Sequence, residues 1–500
     1  MTVYISTRGN FPSVSASSAI KVGMVPAGGL FVPDKIPVFP EKSIFAMEEY
    51  DYISTAQEII APFLDDFSVH ELQECLQPAY GEGNFYHPLV APLRTLDKQL
   101  HFLELWHGPT AAFKDIALQL MPFLLTRSAA KLPDQKEIVI LVATSGDTGK
   151  AALEGFKNVP GTRIIVFYPF HGVSRIQELQ MTTTDGGNTH VVAVRGNFDD
   201  CQSAVKEIFA DRVFNCTLGD KGFELSSANS INWGRLVPQV VYYFWAYVRL
   251  LLKKVIVPGE KINFVVPTGN FGNILAGWYA LKMGLPVQKL ICASNENKVL
   301  TDFFQTGLYN RNREFRQTRS PSMDILISSN LERFLFEITG HDAERITRWM
   351  TDLQQKGFFQ VDELTGKLMN DFITAGFAGE DETLGAIREV FDIYRYLMDP
   401  HTAVGYRVYR DYCRKSGDKT VTVINATASP CKFGGSVLEA LRGRDFIQNK
   451  DEFTLLHQLE ELDGISLHPG LRDLEQKPVL HRTVCEKTEV RKVVEKILGE

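Results

Sequence analysis

The 500-residue sequence predicts an α/β fold: open, mostly parallel sheets with helices on both faces, preceded by a helical N-terminal domain. Three observations predict it. Continuous β-branched runs alternate with helix-like runs from about residue 137 onward. Two of those strands end in glycine loops that open helices. The first ninety residues carry helical rather than strand patterns.

Taken in order, residues 1–90 begin turn-rich and become helical in "DYISTAQEIIAPFL" and "SVHELQECLQ". Residues 91–435 are expected to form the α/β region. Its expected strands are "EIVILVAT" (137–144), "RIIVFYP" (163–169), "HVVAVRG" (190–196), "KINFVVP" (261–267), "KLICASN" (289–295) and "TVTVINAT" (420–427). Helical runs such as "SRIQELQMTT" and "DDCQSAVKEIFAD" separate them. Two α/β subdomains are expected there, with a charged, mostly helical insertion at about 305–400. Residues 436–500 are charge-rich and expected to be peripheral. The most apolar run, "VVYYFWAYV", spans nine residues before Arg249. A membrane span needs about twenty, so it reads as a buried helix.

Composition narrows the function classes. A formal net charge of -7 disfavours nucleic-acid binding. Seven scattered cysteines without a C-x-x-C fit reduced thiols in a cytoplasmic protein, and the eleven histidines show no paired ligand spacing, so no metal site is expected. The polar start "MTVYISTRGNFPS" has no apolar run of the signal-peptide type.

The stretch "ELWHGPTAAFKD" (104–115) sets Lys114 between a Gly-Pro turn and an apolar helix pattern, Ile116, Ala117, Leu118 and Leu120. Beside Phe113 a lysine can lose hydration, become nucleophilic and form a Schiff base. Equally, its stem can lie over an apolar helix start with the ammonium in water. The two glycine loops are Thr144-Ser145-Gly146-Asp147-Thr148-Gly149 and Thr268-Gly269-Asn270-Phe271-Gly272-Asn273. Each places N–H groups at a helix N-terminus beyond a strand, an arrangement that suits anions. Neither is a nucleotide fingerprint, and each alone could be a capped βα turn. Together with Lys114, one loop for a cofactor phosphate and one for a substrate anion are what a pyridoxal phosphate enzyme needs.

The motifs "YISTRG", "GGLFVP", "ELWHGPTAAFKD", "TSGDTGKAA", "NSINWGR", "PTGNFGN" and "DPHTAVG" resemble the long form of threonine synthase, in that family's order, from residue 4 to about 433. The resemblance implies a tryptophan synthase β-like fold (fold type II) and pyridoxal 5'-phosphate as cofactor. It implies a lyase of threonine biosynthesis that converts O-phospho-L-homoserine and water to L-threonine and phosphate. By the same resemblance Lys114 is the Schiff-base and proton-shuttling lysine. Gly269, Asn270, Phe271, Gly272 and Asn273 hold the cofactor phosphate, and Thr427 faces the pyridine nitrogen. Ser145, Gly146, Asp147 and Thr148 receive the substrate's carboxylate and part of its phosphate, which Asn229 and Arg235 also bind. Asn229, Asn232 and Arg235 stand at helical spacing. Helix capping or an ion pair is the structural alternative for Asn229 and Arg235.

Two positions depart from the family pattern: Ser429 stands where histidine is usual, and Ala27 where aspartate is usual. The implied partner is the small-molecule substrate, with no nucleic acid or membrane, in a monomer or homodimer. Competing readings are a related phospho-lyase releasing a keto acid, ammonia and phosphate, a serine/threonine dehydratase, and an inactive binding protein on the same fold.

Overall fold

The computed structural model describes residues 2–144, 146–462 and 466–499. A six-stranded sheet runs in the order Ile373–Phe377, Val287–Ser294, Ile262–Pro267, Thr422–Ala426, Leu100–Glu104, Leu93–Thr95. Its neighbours are parallel except the last pair. A five-stranded sheet, parallel throughout, runs Thr483–Glu486, Thr189–Arg195, Thr162–Pro169, Glu137–Ala143, Phe223–Ser226. Tyr4–Ser6 pairs with Phe31–Pro33, and Leu308–Asn310 with Phe358–Gln360, both antiparallel.

All six strands expected from the sequence are present. Their continuous apolar runs are what a sheet covered on both faces requires, and Ile262–Pro267 is buried at every position. Leu100–Glu104 escaped the pattern because His101 and Glu104 interrupt its apolar run. Sheet pairing overrides that: it lies in register with Thr422–Ala426 from Leu100↔Thr422 to Glu104↔Ala426.

The N-terminal region folds as Ala16–Val22, Glu41–Ala46, Tyr52–Ile60 and Val69–Tyr80, the last opened by a Ser68–Glu71 capping box. Its apolar residues join the main core rather than forming one of their own. The junction is the helix Trp233–Leu252, buried on nearly every side, which is why "VVYYFWAYV" carries no polar face. Tyr4 and Phe63 pack on Trp233 at 5.4 and 5.5 Å, and Tyr52 packs on Trp245 at 5.3 Å, measured between ring centroids. No helix among the described residues is long and apolar enough to cross a membrane.

The C-terminal segment is less peripheral than its charge suggests. Thr483–Glu486 adds an edge strand to the five-stranded sheet. Leu467, Leu471 and Leu474 bury against Ile176, Leu179 and Cys431. Four loops matter for function. They follow Leu100–Glu104, Ile262–Pro267 and Thr422–Ala426 in one sheet and Glu137–Ala143 in the other. All leave carboxyl ends of parallel strands, where open α/β sheets place their ligand crevice.

Candidate active site

After Leu100–Glu104 the chain turns at Gly108-Pro109-Thr110 and is fixed there by buried Asp115. One carboxylate oxygen accepts the Thr110 N–H at 2.9 Å, the other the Thr110 hydroxyl at 2.7 Å. Burial pushes the Asp115 carboxyl up to about 6 against those hydrogen bonds. The Phe113 N–H donates to the Thr427 carbonyl at 2.8 Å, stitching this turn to the loop beyond Thr422–Ala426. Lys114 then opens the short helix Lys114–Leu118 and is only 9% exposed. Its ammonium lies 5.7 Å from the Phe113 ring centroid and donates to Asp147 Oδ2 at 3.2 Å and Ser322 Oγ at 3.0 Å. Burial lowers its pKa. Asp147 opposes that shift, while the charges of Lys432 and Arg235 add to it. The stem does not lead to water, so the surface-lysine alternative does not hold.

The first glycine loop brings Asp147 to this lysine. Gly146 adopts φ 140°, and a Cβ there would stand 2.4 Å from the Gln177 amide, so glycine is required. Asp147 begins the helix Asp147–Phe156, and Thr148 follows it half-buried. Besides Lys114, Asp147 accepts from Lys432 Nζ at 2.6 Å and Gln177 Nε2 at 3.2 Å. Burial disfavours its charge, yet Lys114 and Lys432 outweigh that and hold the carboxyl well below the usual range. Ser145 lies outside the described residues.

The second loop is packed against the segment 320–330, which the sequence reading placed within a charged helical insertion. A Cβ on Gly269 would fall 2.6 Å from the Ser322 carbonyl oxygen. The Asn270 carbonyl accepts from Asn330 N and Nδ2 at 3.1 and 3.0 Å. Phe271 takes a left-handed turn at φ 63°, its ring buried, and the helix Gly272–Lys282 begins. Asn273 Oδ1 accepts from the Tyr242 and Tyr243 hydroxyls, each at 2.7 Å, and from Asn425 Nδ2 at 3.1 Å.

This loop passes a test for a phosphate-bearing cofactor. Asn273 Nδ2 is buried with no partner among the described residues. A Cβ on Gly272 would meet Asn330 Nδ2 at 3.5 Å and Gln239 Nε2 at 3.8 Å, so the space beside it is rimmed with amide donors. Add the N–H groups of a helix's first turn, and the donor set is that of an anion cradle.

Thr427 is 5% exposed; its backbone is tied to Phe113 and to the Thr402 hydroxyl, and among the described residues no hydrogen bond engages its own hydroxyl. Ser429, in the family's histidine position, is buried and accepts the Cys431 N–H at 3.3 Å, capping the turn Pro430–Phe433. It serves the backbone there.

The helical spacing read through Asn229, Asn232 and Arg235 is not realised. The helix starts at Trp233, Asn232 caps it by accepting the Gly234 N–H at 2.9 Å, and Asn229 sits in the preceding turn. Asn232 Nδ2 also donates to the Ile20 and Ser227 carbonyls, so both ends of its amide are engaged by the fold. Arg235 is 6% exposed and donates to the Ala228 carbonyl at 2.8 Å. Burial alone pushes its pKa down to about 10, and it forms no ion pair among the described residues. A guanidinium removed from water without a counter-charge is suited to an anionic ligand.

Sequence reasoning passed over Ser322, Lys432, Gln177, Asn330 and His401. Lys432 stood inside a quoted motif, "NATASPCKF", and His401 inside "DPHTAVG". In the fold Asp399 caps the helix Pro400–Ser416 and receives His401 Nδ1 at 2.6 Å, while His401 Nε2 accepts the Ser322 N–H at 3.2 Å. Ser322 arrives from the short 3-10 turn Pro321–Met323 and Asn330 from the residue before the helix Leu331–Ile338, both far along the chain, and no local pattern marks them.

Residues 3–80 match the family "Threonine synthase N terminus", 86–427 "Pyridoxal-phosphate dependent enzyme", and 402–494 "Threonine synthase, C-terminal". Threonine synthase of Schizosaccharomyces pombe is 38% identical, over 88% of this chain and 89% of that protein. Human threonine synthase-like 1 is 40% identical over 98% of this chain, which covers 66% of that longer protein. The crystal structure of pyridoxal phosphate-bound threonine synthase from Brucella melitensis superposes with a TM-score of 0.88 at 37% identity, covering 100% of this chain and 99% of that one.

Proposed function

Since the chain belongs to the threonine synthase family of pyridoxal phosphate-dependent enzymes, we propose that its site converts O-phospho-L-homoserine and water to L-threonine and phosphate. The observation that carries the reading is one buried lysine between two loops suited to anions, with a buried arginine nearby that forms no ion pair among the described residues. Pyridoxal 5'-phosphate, when bound, supplies an electron sink for carbanion chemistry at the substrate's α-carbon.

The chain supplies the rest. Lys114 holds the cofactor and moves protons at the substrate's carbons; burial favours its neutral, proton-accepting form. Gly269, Asn270, Phe271, Gly272 and Asn273 would hold the cofactor's phosphate, and the Thr427 hydroxyl would serve its ring nitrogen. A neutral hydroxyl there would leave the ring less electron-withdrawing than a carboxylate partner would, because a carboxylate favours the protonated ring nitrogen. Gly146 and Thr148, with Ser145, orient the substrate's carboxylate. Arg235 and Asn229 take the leaving phosphate, where negative charge accumulates as the Cγ–O bond breaks. Water then adds at Cβ. Asp147 belongs to this list by a different route, as the carboxylate that steadies Lys114. Seven free thiols support a reducing, cytoplasmic setting.

Incubation with O-phospho-L-homoserine and pyridoxal 5'-phosphate tests the reading. Equal amounts of L-threonine and phosphate are expected. A keto acid with ammonia and phosphate would instead establish the phospho-lyase reading, and no turnover the binding-protein reading.

A further inference from the structure

Lys432 shares the segment after Thr422–Ala426 with Thr427 but has no ligand role of its own in that reading, and it is among the most enclosed charges in the molecule. Its side chain is 1% exposed, that of its partner Asp147 5%, and that of Lys114 10%. Its ammonium donates to Asp147 Oδ1 at 2.6 Å and to the Thr110 carbonyl at 3.0 Å. It therefore spans the turn that aims Lys114 and the loop that carries Asp147. The carboxylate is divided between two lysines: Oδ1 faces Lys432, and Oδ2 faces Lys114 at 3.2 Å.

That division matters when Lys114 gives up its proton to solvent and turns into a free amine. A buried carboxylate left with no cation is strongly disfavoured. If Asp147 had Lys114 as its sole ion-pair partner, it would hold Lys114 as an ammonium. We propose that Lys432 is a positioning residue for Lys114: a permanent counter-ion that keeps Asp147 paired, so that Lys114 can leave the pair as a neutral nucleophile.

The surroundings support the assignment. Around the pair, Asp147 draws Lys114 toward the charged form, and Lys432 and Arg235 repel that charge. His401, itself bound to Asp399, stands close enough to act on Asp147. Asp115 faces the same turn through Thr110 and feels the charge of Lys432. Lys432 thus acts on Lys114 twice, through direct repulsion and by occupying Asp147, and both effects favour the neutral amine.

The inference rests on the reading of Lys114 as the cofactor lysine, and one experiment separates the two. Full-length protein freed of cofactor is mixed with pyridoxal 5'-phosphate between about pH 6 and 10, a window chosen to bracket a depressed lysine pKa. Borohydride is added at timed intervals, and the reduced adduct is located and counted by peptide mass spectrometry. In Lys432→Met the adduct should still form on Lys114, but with the pH midpoint of its rate moved upward by about one unit, roughly tenfold slower at a fixed pH below the midpoint. Lys432→Arg should restore the parent midpoint. Lys432→Gln, which keeps a donor without the charge, should behave as the methionine variant does and replaces it if methionine prevents folding.

Adduct on Lys114 with an unmoved midpoint in the charge-free variants would overturn this role and leave the site reading intact. Adduct on a different lysine in the parent would overturn the site reading itself. Unfolding of both charge-free variants would make Lys432 a residue of the fold and would likewise overturn the role.

Discussion

Single side chains decide the chemistry here, and two of them can be tested directly. Lys114→Ala should fold as the parent does and lose turnover, checked by circular dichroism beside a threonine assay, because Asp147, its ion-pair partner, stays paired with Lys432. Arg235→Leu should bind cofactor normally but lose turnover by roughly a hundredfold or more, the equivalent of about 3 kcal/mol in a charge-assisted contact to the leaving group. Arg235→Lys should recover part of it, since an ammonium cannot form the planar fork. Inorganic phosphate should compete with substrate in the parent and more weakly in the leucine variant. Equal inhibition of both would assign Arg235 to structure. At this scale the sequence was informative where a residue type was out of place, as Lys114 was among apolar neighbours. It was silent on Ser322, whose contact with Lys114 joins positions 208 residues apart.

At the scale of elements, the glycine loops were legible because a strand, a glycine turn and a helix follow one another in the chain. What each loop packs against was not. Gly269 abuts the Ser322 carbonyl and Gly272 abuts amide donors, so the two glycines should differ in their response to substitution. Gly272→Val should weaken cofactor retention more than it lowers melting temperature, because its side chain fills the anion cradle. Gly269→Val should lower both, because it meets backbone. Cofactor release measured beside thermal unfolding distinguishes them. The motif "YISTRG" gains its meaning at this scale as well. Arg8 forms a two-pronged ion pair with Glu332 at 2.9 Å on each arm, and the Thr7 hydroxyl donates to the same carboxylate at 2.6 Å. Glu332 follows Asn330, which holds the Asn270 carbonyl, so the N-terminal region braces the Gly269–Asn273 loop from behind.

Across the whole molecule, period and composition foretold a parallel α/β architecture, since two-sided burial leaves unbroken apolar strands. They gave no view of the edge strand Thr483–Glu486, three of whose four residues are exposed, or of Leu100–Glu104 with its histidine. That histidine yields a prediction about global stability. Burial, and secondarily the charge of Lys253, pushes the His101 pKa down to about 4. Its neutral form therefore contributes stability that is fully present above the unfolded value of about 6.5 and is lost as pH falls through about 4. His468, pushed down to about 3 by burial, then by His107 and Lys432, adds to the same acid limb. Denaturant titrations at a series of pH values should show His101→Gln losing less stability than the parent between pH 6 and 4, by about 2 kcal/mol. The joining of two sheets at one crevice leads to the most direct test of the reaction. Turnover of O-phospho-L-homoserine in water labelled with heavy oxygen should place one labelled atom in the threonine hydroxyl and none in the released phosphate, because the Cγ–O bond breaks before water adds at Cβ. Labelled phosphate beside unlabelled homoserine, or labelled keto acid in place of threonine, would contradict the account.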